Sequence, residues 1–237
     1  ISLFGDDYIH QPDIPEDVLS MSEWDEQMLL TYEKQVLGTY LSSHPLARYK
    51  KRLANLISHT IEALDPEEDF NREIRLAGII VSVKFLKTKK EERMATFVLE
   101  DLTGQIDLTI FPEAYNRSNL YIKEGQLVWI KGKMAAEGFE SRKVLVSQLL
   151  PLTEALEKLA KKTIIKIPVS SLNEENIQEM KQILKAFPGD CLLYLQLEDT
   201  STSCLIQSAE VQSINPSEEL ISRIENLFGP DSVMVEY

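Results

Sequence analysis

The feature that most constrains this chain is a change of period at Arg72. Before it, apolar residues recur at helical spacing; after it, they alternate. Alternation with a period of two belongs to strands that bury one face. "REIRLAGIIVSVKFLKT" reads as a long β-branched strand with Gly78 inside it, a place for a bend or bulge. "RMATFVLEDL" and "QIDLTIF" are two further strands joined across Thr103-Gly104. In the second of these, Ile106, Leu108 and Ile110 face one way, and Gln105, Asp107, Thr109 and Phe111 the other. "PEAYNRSNLYI" predicts a short helix, "QLVWIKGKMAAE" a fourth strand, Gly138 a turn, and "KVLVSQLLPL" a fifth strand.

Five strands with one helix between the third and fourth is the order of an OB-fold barrel. Closing such a sheet removes its vulnerable edges. A long first strand with an interior glycine suits a small barrel, because one strand must bend to join both ends of the sheet. The barrel is assigned to residues 71–152.

Ahead of it, residues 1–20 read as an irregular arm, with Pro12 and Pro15 opposing regular structure. Residues 21–70 read as a helical segment and linker. Ser22 is a good N-cap, and Trp24, Met28, Tyr32, Val36 and Tyr40 form an amphipathic stripe that Pro45 ends. A second helix, "LARYKKRLANLI", puts Tyr49, Leu53 and Leu56 on one side, and its basic run Arg48, Lys50, Lys51, Arg52 reads as a solvated face. "EALDPEEDF" reads as an acidic linker. After the barrel, "EALEKLAKK" is a helical connector. Residues 153–237 then give strand, helix, strand, strand, helix, strand, with Pro188-Gly189 and Gly229-Pro230 as helix stops. The expected class is α+β: a helical segment, a five-stranded OB barrel and a βαββαβ sandwich.

The net charge of −13 argues against nucleic acid until it is divided along the chain. Residues 1–70 carry 5 basic and 14 acidic residues, residues 161–237 carry 6 and 12, and residues 71–160 carry 14 and 12. Only the middle, at +2, is not repelled by a phosphate backbone. No apolar run approaches the roughly 18 residues of a membrane span, and no signal peptide is expected at the N-terminus. The sequence begins at Ile1, so the stretch is read as a segment of a longer protein. Cys191 and Cys204 fit no metal-ligand spacing, and His10, His44 and His59 are scattered. Neither a nucleophile elbow, a phosphate-binding loop nor a metal cluster is present, so no catalytic residue, metal ligand or cofactor is assigned.

Binding is better supported. OB folds take oligonucleotides on the face of strands two and three, between the loops joining strands one and two and strands four and five. The first loop supplies Lys84, Lys87, Lys89, Lys90 and Arg93, offset by Glu91 and Glu92; the second supplies Phe139, Arg142 and Lys143. Strand four adds Trp129, Lys131 and Lys133, and strand three adds Phe111. Cations follow a backbone while rings stack on bases. The expectation is a lysine-fringed barrel mouth that grips an unpaired strand weakly, with salt sensitivity and little sequence preference.

The stretch "GTYLSSHPLARYKKRL", followed by "REIRLAGIIVSVKFLKTKKEERMATFVLEDLTGQIDLTIFPEAY", resembles the C-terminal part of the α subunit of bacterial DNA polymerase III, the replicative polymerase. The motif His44-Pro45-Leu46 ahead of the barrel belongs to that resemblance, and Thr39 and Ser43 depart from it, where the family often has Phe and Gly. The resemblance implies a clamp-binding peptide ending in Leu-Phe, matched here by Ile1, Leu3 and Phe4. It also implies single-stranded DNA on the barrel, the sliding clamp (β) on the arm, and the clamp-loader τ subunit on the last domain, where "SVMVEY" is a candidate participant. The polymerase activity (DNA-directed, a nucleotidyl transferase) and its magnesium-binding aspartates would lie upstream, in the remainder of the α subunit, in a bacterial cytoplasmic replication machine. Two alternatives stay open: an OB-fold RNA-binding appendage like that of a tRNA synthetase, and a purely protein–protein module.

Overall fold

The computed structural model describes Glu33, Val36 and residues 44–135, 143–199 and 202–237. The chain divides into two compact units, Ile1–His44 and Pro45–Tyr237. The arm and most of the first expected helix lie outside the described residues. Glu33 and Val36 are helical, and Val36 is 79% exposed.

The second unit contains the barrel. Its strands are β1 (Glu73–Lys87), β2 (Arg93–Glu100), β3 (Gln105–Ile110), β4 (Leu127–Met134) and β5 (Lys143–Pro151). They close in the order β1-β2-β3-β5-β4, with β4 returning to β1, and every pair is antiparallel except β3–β5. Ahead of the barrel lies α1 (Lys50–Leu56), entered through a 3-10 turn at Ala47–Tyr49. The short helix α2 (Pro112–Ser118) follows β3, as the sequence predicts.

Strand β1 serves both ends of the sheet. It pairs with β4 from Glu73 to Ile79 and with β2 from Ile79 to Lys87. Gly78 sits at this exchange of partners, where a Cβ would stand 2.6 Å from the Glu100 carbonyl oxygen and from the Leu99 side chain. Its role is close approach. The register irregularity itself falls between Ile80 and Ser82.

The interior is filled by alternating residues such as Leu76, Phe97, Leu108, Ile130 and Val146. Side chains from outside the five strands complete this interior. Ala114, Tyr115 and Ile122 join the interior cluster from the segment after β3. Ile61 and Leu64 join it from the stretch ahead of β1 that reads as part of an acidic linker. That stretch is held by hydrogen bonds from the Ile61 N–H to Asp101 (2.8 Å) and from the Glu62 N–H to the Thr103 hydroxyl (3.1 Å).

Beyond the connector α3 (Leu152–Lys158) lies a second sheet of β6 (Lys162–Pro168), β7 (Cys191–Glu198), β8 (Ser203–Ile206), β9 (Ser213–Ile214) and β10 (Val233–Glu236). Its order is β10-β6-β7-β8, with β9 also on β7. The helices α4 (Glu174–Ala186) and α5 (Glu218–Phe228) pack with it, through Met180, Ile183, Leu184, Leu220 and Ile224 against Ile165, Leu193 and Leu195. Asn173 and Ser217 cap these helices, accepting from the Asn176 and Leu220 N–H groups. Gly229 ends α5 at φ +99°, a conformation suited to glycine. The expected βαββαβ order is present, with the two-residue β9 added.

A third apolar cluster joins these parts. Tyr49, Leu53 and Leu56 of the α1 region, Leu152, Ala155 and Leu156 of α3, and Ala77 and Trp129 of the barrel wall are all buried in it. Arg52 spans the junction, donating to the Tyr237 hydroxyl (2.9 Å) and to the carbonyls of Leu156 and Pro216 (both 3.2 Å). Lys51 pairs with Asp231. Arg52, of the run read as a solvated face, therefore joins the C-terminal domain, while Lys51 stays 80% exposed in a surface pair.

Candidate nucleic-acid interface

The loop between β1 and β2 is an ordered hairpin tip. Thr88 and Glu92 close it through a Thr88 N–H to Glu92 carbonyl bond (2.9 Å), and the Glu91 N–H donates to the Thr88 carbonyl (2.9 Å). The Thr88 hydroxyl accepts from the N–H groups of Lys90 (3.2 Å) and Glu92 (3.3 Å). Glu91 takes φ +62°, completing a three-residue hairpin loop of the kind that ends on a left-handed residue. The turn holds Lys89 and Lys90 at its tip.

The cations around it are mostly free of carboxylates. Lys87 pairs with Glu91 at 2.5 Å, an exposed contact worth at most about 1 kcal/mol. Lys84, Lys89, Lys90 and Arg93 are exposed, and among the described residues they form no ion pair. With Lys87, these four cations outnumber Glu91 and Glu92 of the same loop, which leaves a net positive field for an anion to neutralise.

The wall beneath this tip faces outward from β1, β2 and β3. Register aligns Lys84 with Thr96, and Thr96 with Thr109. Ser82, Val98 and Asp107 form the next row. Phe111, just past β3, is 48% exposed. Lys143 begins β5 opposite Asp107 and is half-buried. Lys84 and Phe111 thus share this wall, Lys87 and Arg93 pair across the other face of the same ribbon, and Lys89 and Lys90 stand at its tip.

The other candidates lie elsewhere. Trp129 is 2% exposed, covered by the cluster of α1 and α3, with its indole N–H directed at the Leu56 carbonyl (3.4 Å). Its ring has no free face on which a base could stack. Lys131 pairs with Glu73 at 2.8 Å, and Lys133 donates to Asn71 at 3.2 Å. Both stand on β4, away from the hairpin tip. Phe139, Arg142, Ile1, Leu3 and Phe4 lie outside the described residues. Tyr115 packs into the barrel interior, and the lysines stand beside the outer wall of β1, β2 and β3. Sequence reasoning passed over Leu86 and Met94 on that wall, although the alternation that turns Lys84 outward turns Leu86 outward too.

Among the described residues, no group of three or more His, Cys, Asp or Glu side chains is placed to hold a metal ion. No described helix is long and apolar enough to cross a membrane.

Comparison with known proteins places these parts. A family described as OB-fold nucleic acid binding domain matches residues 74–152, and one described as DNA polymerase III alpha subunit, C-terminal domain, matches residues 163–228. DNA polymerase III subunit alpha of Pasteurella multocida is 28% identical over 227 residues, 95% of this chain and 20% of that protein. The Halalkalibacterium halodurans subunit is 30% identical over 207 residues, 87% of this chain and 18% of that protein. The Escherichia coli K12 subunit is 22% identical over 94% of this chain and 20% of that protein. The chain spans about a fifth of the length of these curated relatives. Among solved structures, the S. cerevisiae mitochondrial single-stranded DNA binding protein Rim1 covers 35% of this chain and 96% of its own, at 18% identity and a TM-score of 0.30.

Proposed function

This chain is homologous to bacterial DNA polymerase III α subunits over its OB-fold and C-terminal domains, and from that premise we propose that it is a non-catalytic tethering region of a replicative polymerase. The barrel holds unpaired template DNA on its outer wall. The arm carrying Ile1, Leu3 and Phe4 docks on the sliding clamp, and the C-terminal domain docks on the clamp-loader τ subunit. The region acts in the bacterial cytoplasm with the rest of the polymerase, which supplies the nucleotidyl transfer and its magnesium.

One observation carries the DNA reading. An ordered hairpin presents Lys89 and Lys90 beside Lys84 and Arg93, all exposed and, among the described residues, without carboxylate partners. A phosphate backbone is the polymer that such a group neutralises with the release of counterions.

Reversing Lys87, Lys89 and Lys90 to glutamate tests it. Oligothymidine affinity at low salt is expected to fall, and the slope of log affinity against log salt to flatten by roughly 0.7 for each phosphate no longer neutralised. An unchanged slope sinks the barrel assignment. For the arm, Leu3→Ala with Phe4→Ala is expected to abolish clamp binding while the fold persists; full clamp affinity in that variant removes the docking role.

A further inference from the structure

We infer that Leu86, Met94 and Phe111 form one cross-strand platform on which the bases of an unpaired strand stack, an inference that rests on the single-strand reading above. Register sets Leu86 opposite Met94. It also sets Ala95 opposite Ile110, which carries Phe111, the next residue, to the place facing Met94. Ala95 and Ile110 are fully buried in the barrel, so the period of two turns Met94 and Phe111 outward. Phe85 pairs with Ala95, so alternation sets Leu86 on the outward side; Phe85 itself is 62% exposed, with its ring edge-on to Tyr115 at 6.5 Å, and lies off this row.

An outward row on a strand facing water is ordinarily polar, and the next row here, Lys84, Thr96 and Thr109, obeys that rule. The Leu86 row breaks it. Leu86 and Phe111 keep 46% and 48% of their surface exposed, so the row is not covered by the fold in the way an interior row would be.

Charge decides what covers it. Lys84 lies on the neighbouring row, Lys87 and Arg93 flank Leu86 and Met94 in the sequence, and Lys89 and Lys90 stand at the hairpin tip above. The occupant therefore has flat apolar faces and an anionic backbone. An unpaired nucleic-acid strand has both, whereas a duplex keeps its base faces stacked inside. Leucine, methionine and phenylalanine present no donor to base edges, so the platform takes faces rather than reads sequence.

The experiment compares oligothymidine with an abasic deoxyribose-phosphate strand of the same length, using the full chain at low salt. The wild type is expected to bind oligothymidine at least tenfold more tightly. Phe111→Ala should remove about tenfold of that preference, and Leu86→Thr a few-fold. Neither variant should change abasic-strand affinity or the salt slope, and with both side chains half-exposed the unfolding midpoint should hold. Equal wild-type affinity for the two strands, or an unchanged preference in both variants, overturns the platform. In that case a loss of binding to both strands on reversing Lys87, Lys89 and Lys90 would leave the single-strand reading standing. Failure of the wild type to bind either strand overturns both.

Discussion

Two walls of the same barrel carry outward apolar rows, and they meet different fates. On one, Ala77, Trp129 and Leu150 line up across β1, β4 and β5 and lie under α1 and α3. On the other, Leu86 and Met94 of β1 and β2 line up with Phe111 beside a lysine-rich hairpin, Leu86 and Phe111 exposed and Met94 half-buried. Strand alternation treats the two rows alike. What separates them is chain far away in sequence: residues 46–56 and 152–156 cover the first wall and use it to hold the C-terminal domain. An outward aromatic residue is a ligand platform only where the protein's own helices leave it bare.

The contrast can be broken most severely at Trp129. Trp129→Ala should cost about 3–5 kcal/mol in denaturant unfolding, the range for emptying a large aromatic site. Oligothymidine affinity of the folded protein should not change. A weakened affinity with normal stability would move the binding wall to β4. Next in size is Arg52→Ala, which leaves the Leu156 and Pro216 carbonyls and the Tyr237 hydroxyl without their charged donor. It should cost roughly 1.5–3 kcal/mol and speed hydrogen exchange in β10 while the barrel amides stay protected. Exchange that rises equally everywhere would deny Arg52 its place as the junction.

A subtler effect on the covered side emerges only in alkali. Burial, and then the Glu218 carboxylate, push the Tyr49 phenol up to about 12 from 10.0. The folded state therefore holds this proton more tightly than the unfolded chain. The stabilisation is complete below pH 10 and is lost as pH climbs through about 12. Tyr49→Phe should flatten the fall in stability between those values, and an identical pH profile would remove Tyr49 from it. The smallest change expected is on the bare side. Glu91→Gly relieves a left-handed non-glycine residue, with a gain of about 1 kcal/mol at most, and frees Lys87 from its ion pair. Oligothymidine should bind a few-fold more tightly; weaker binding would show that Glu91 orders the loop for its ligand.

Much of the fold was legible because it is written in periods. Each barrel strand falls inside the alternating segment that announces it, and Gly229 and Ser217 mark the ends of α5 as local chemistry demands. The rest depends on contacts between distant residues. Ile61 and Leu64 sit next to or within an acidic stretch whose composition reads as linker, yet both enter the barrel core. Two-residue β9 is too short for any period to register. At the site, charge was easy to read and gave the hairpin lysines, while the apolar members of the same wall, Leu86 and Met94, carried no charge to draw notice. Trp129 shows the opposite error: the alternation correctly turned it outward, but nothing local to β4 says that α1 and α3 cover it.

Chemical-shift mapping of the chain with oligothymidine separates the two walls most directly. Changes confined to residues 84–96 and 105–111, with a silent Trp129 indole, are what a bare binding wall and a covered structural wall require. Large changes at the Trp129 indole and along β4, with the hairpin tip unmoved, would contradict it.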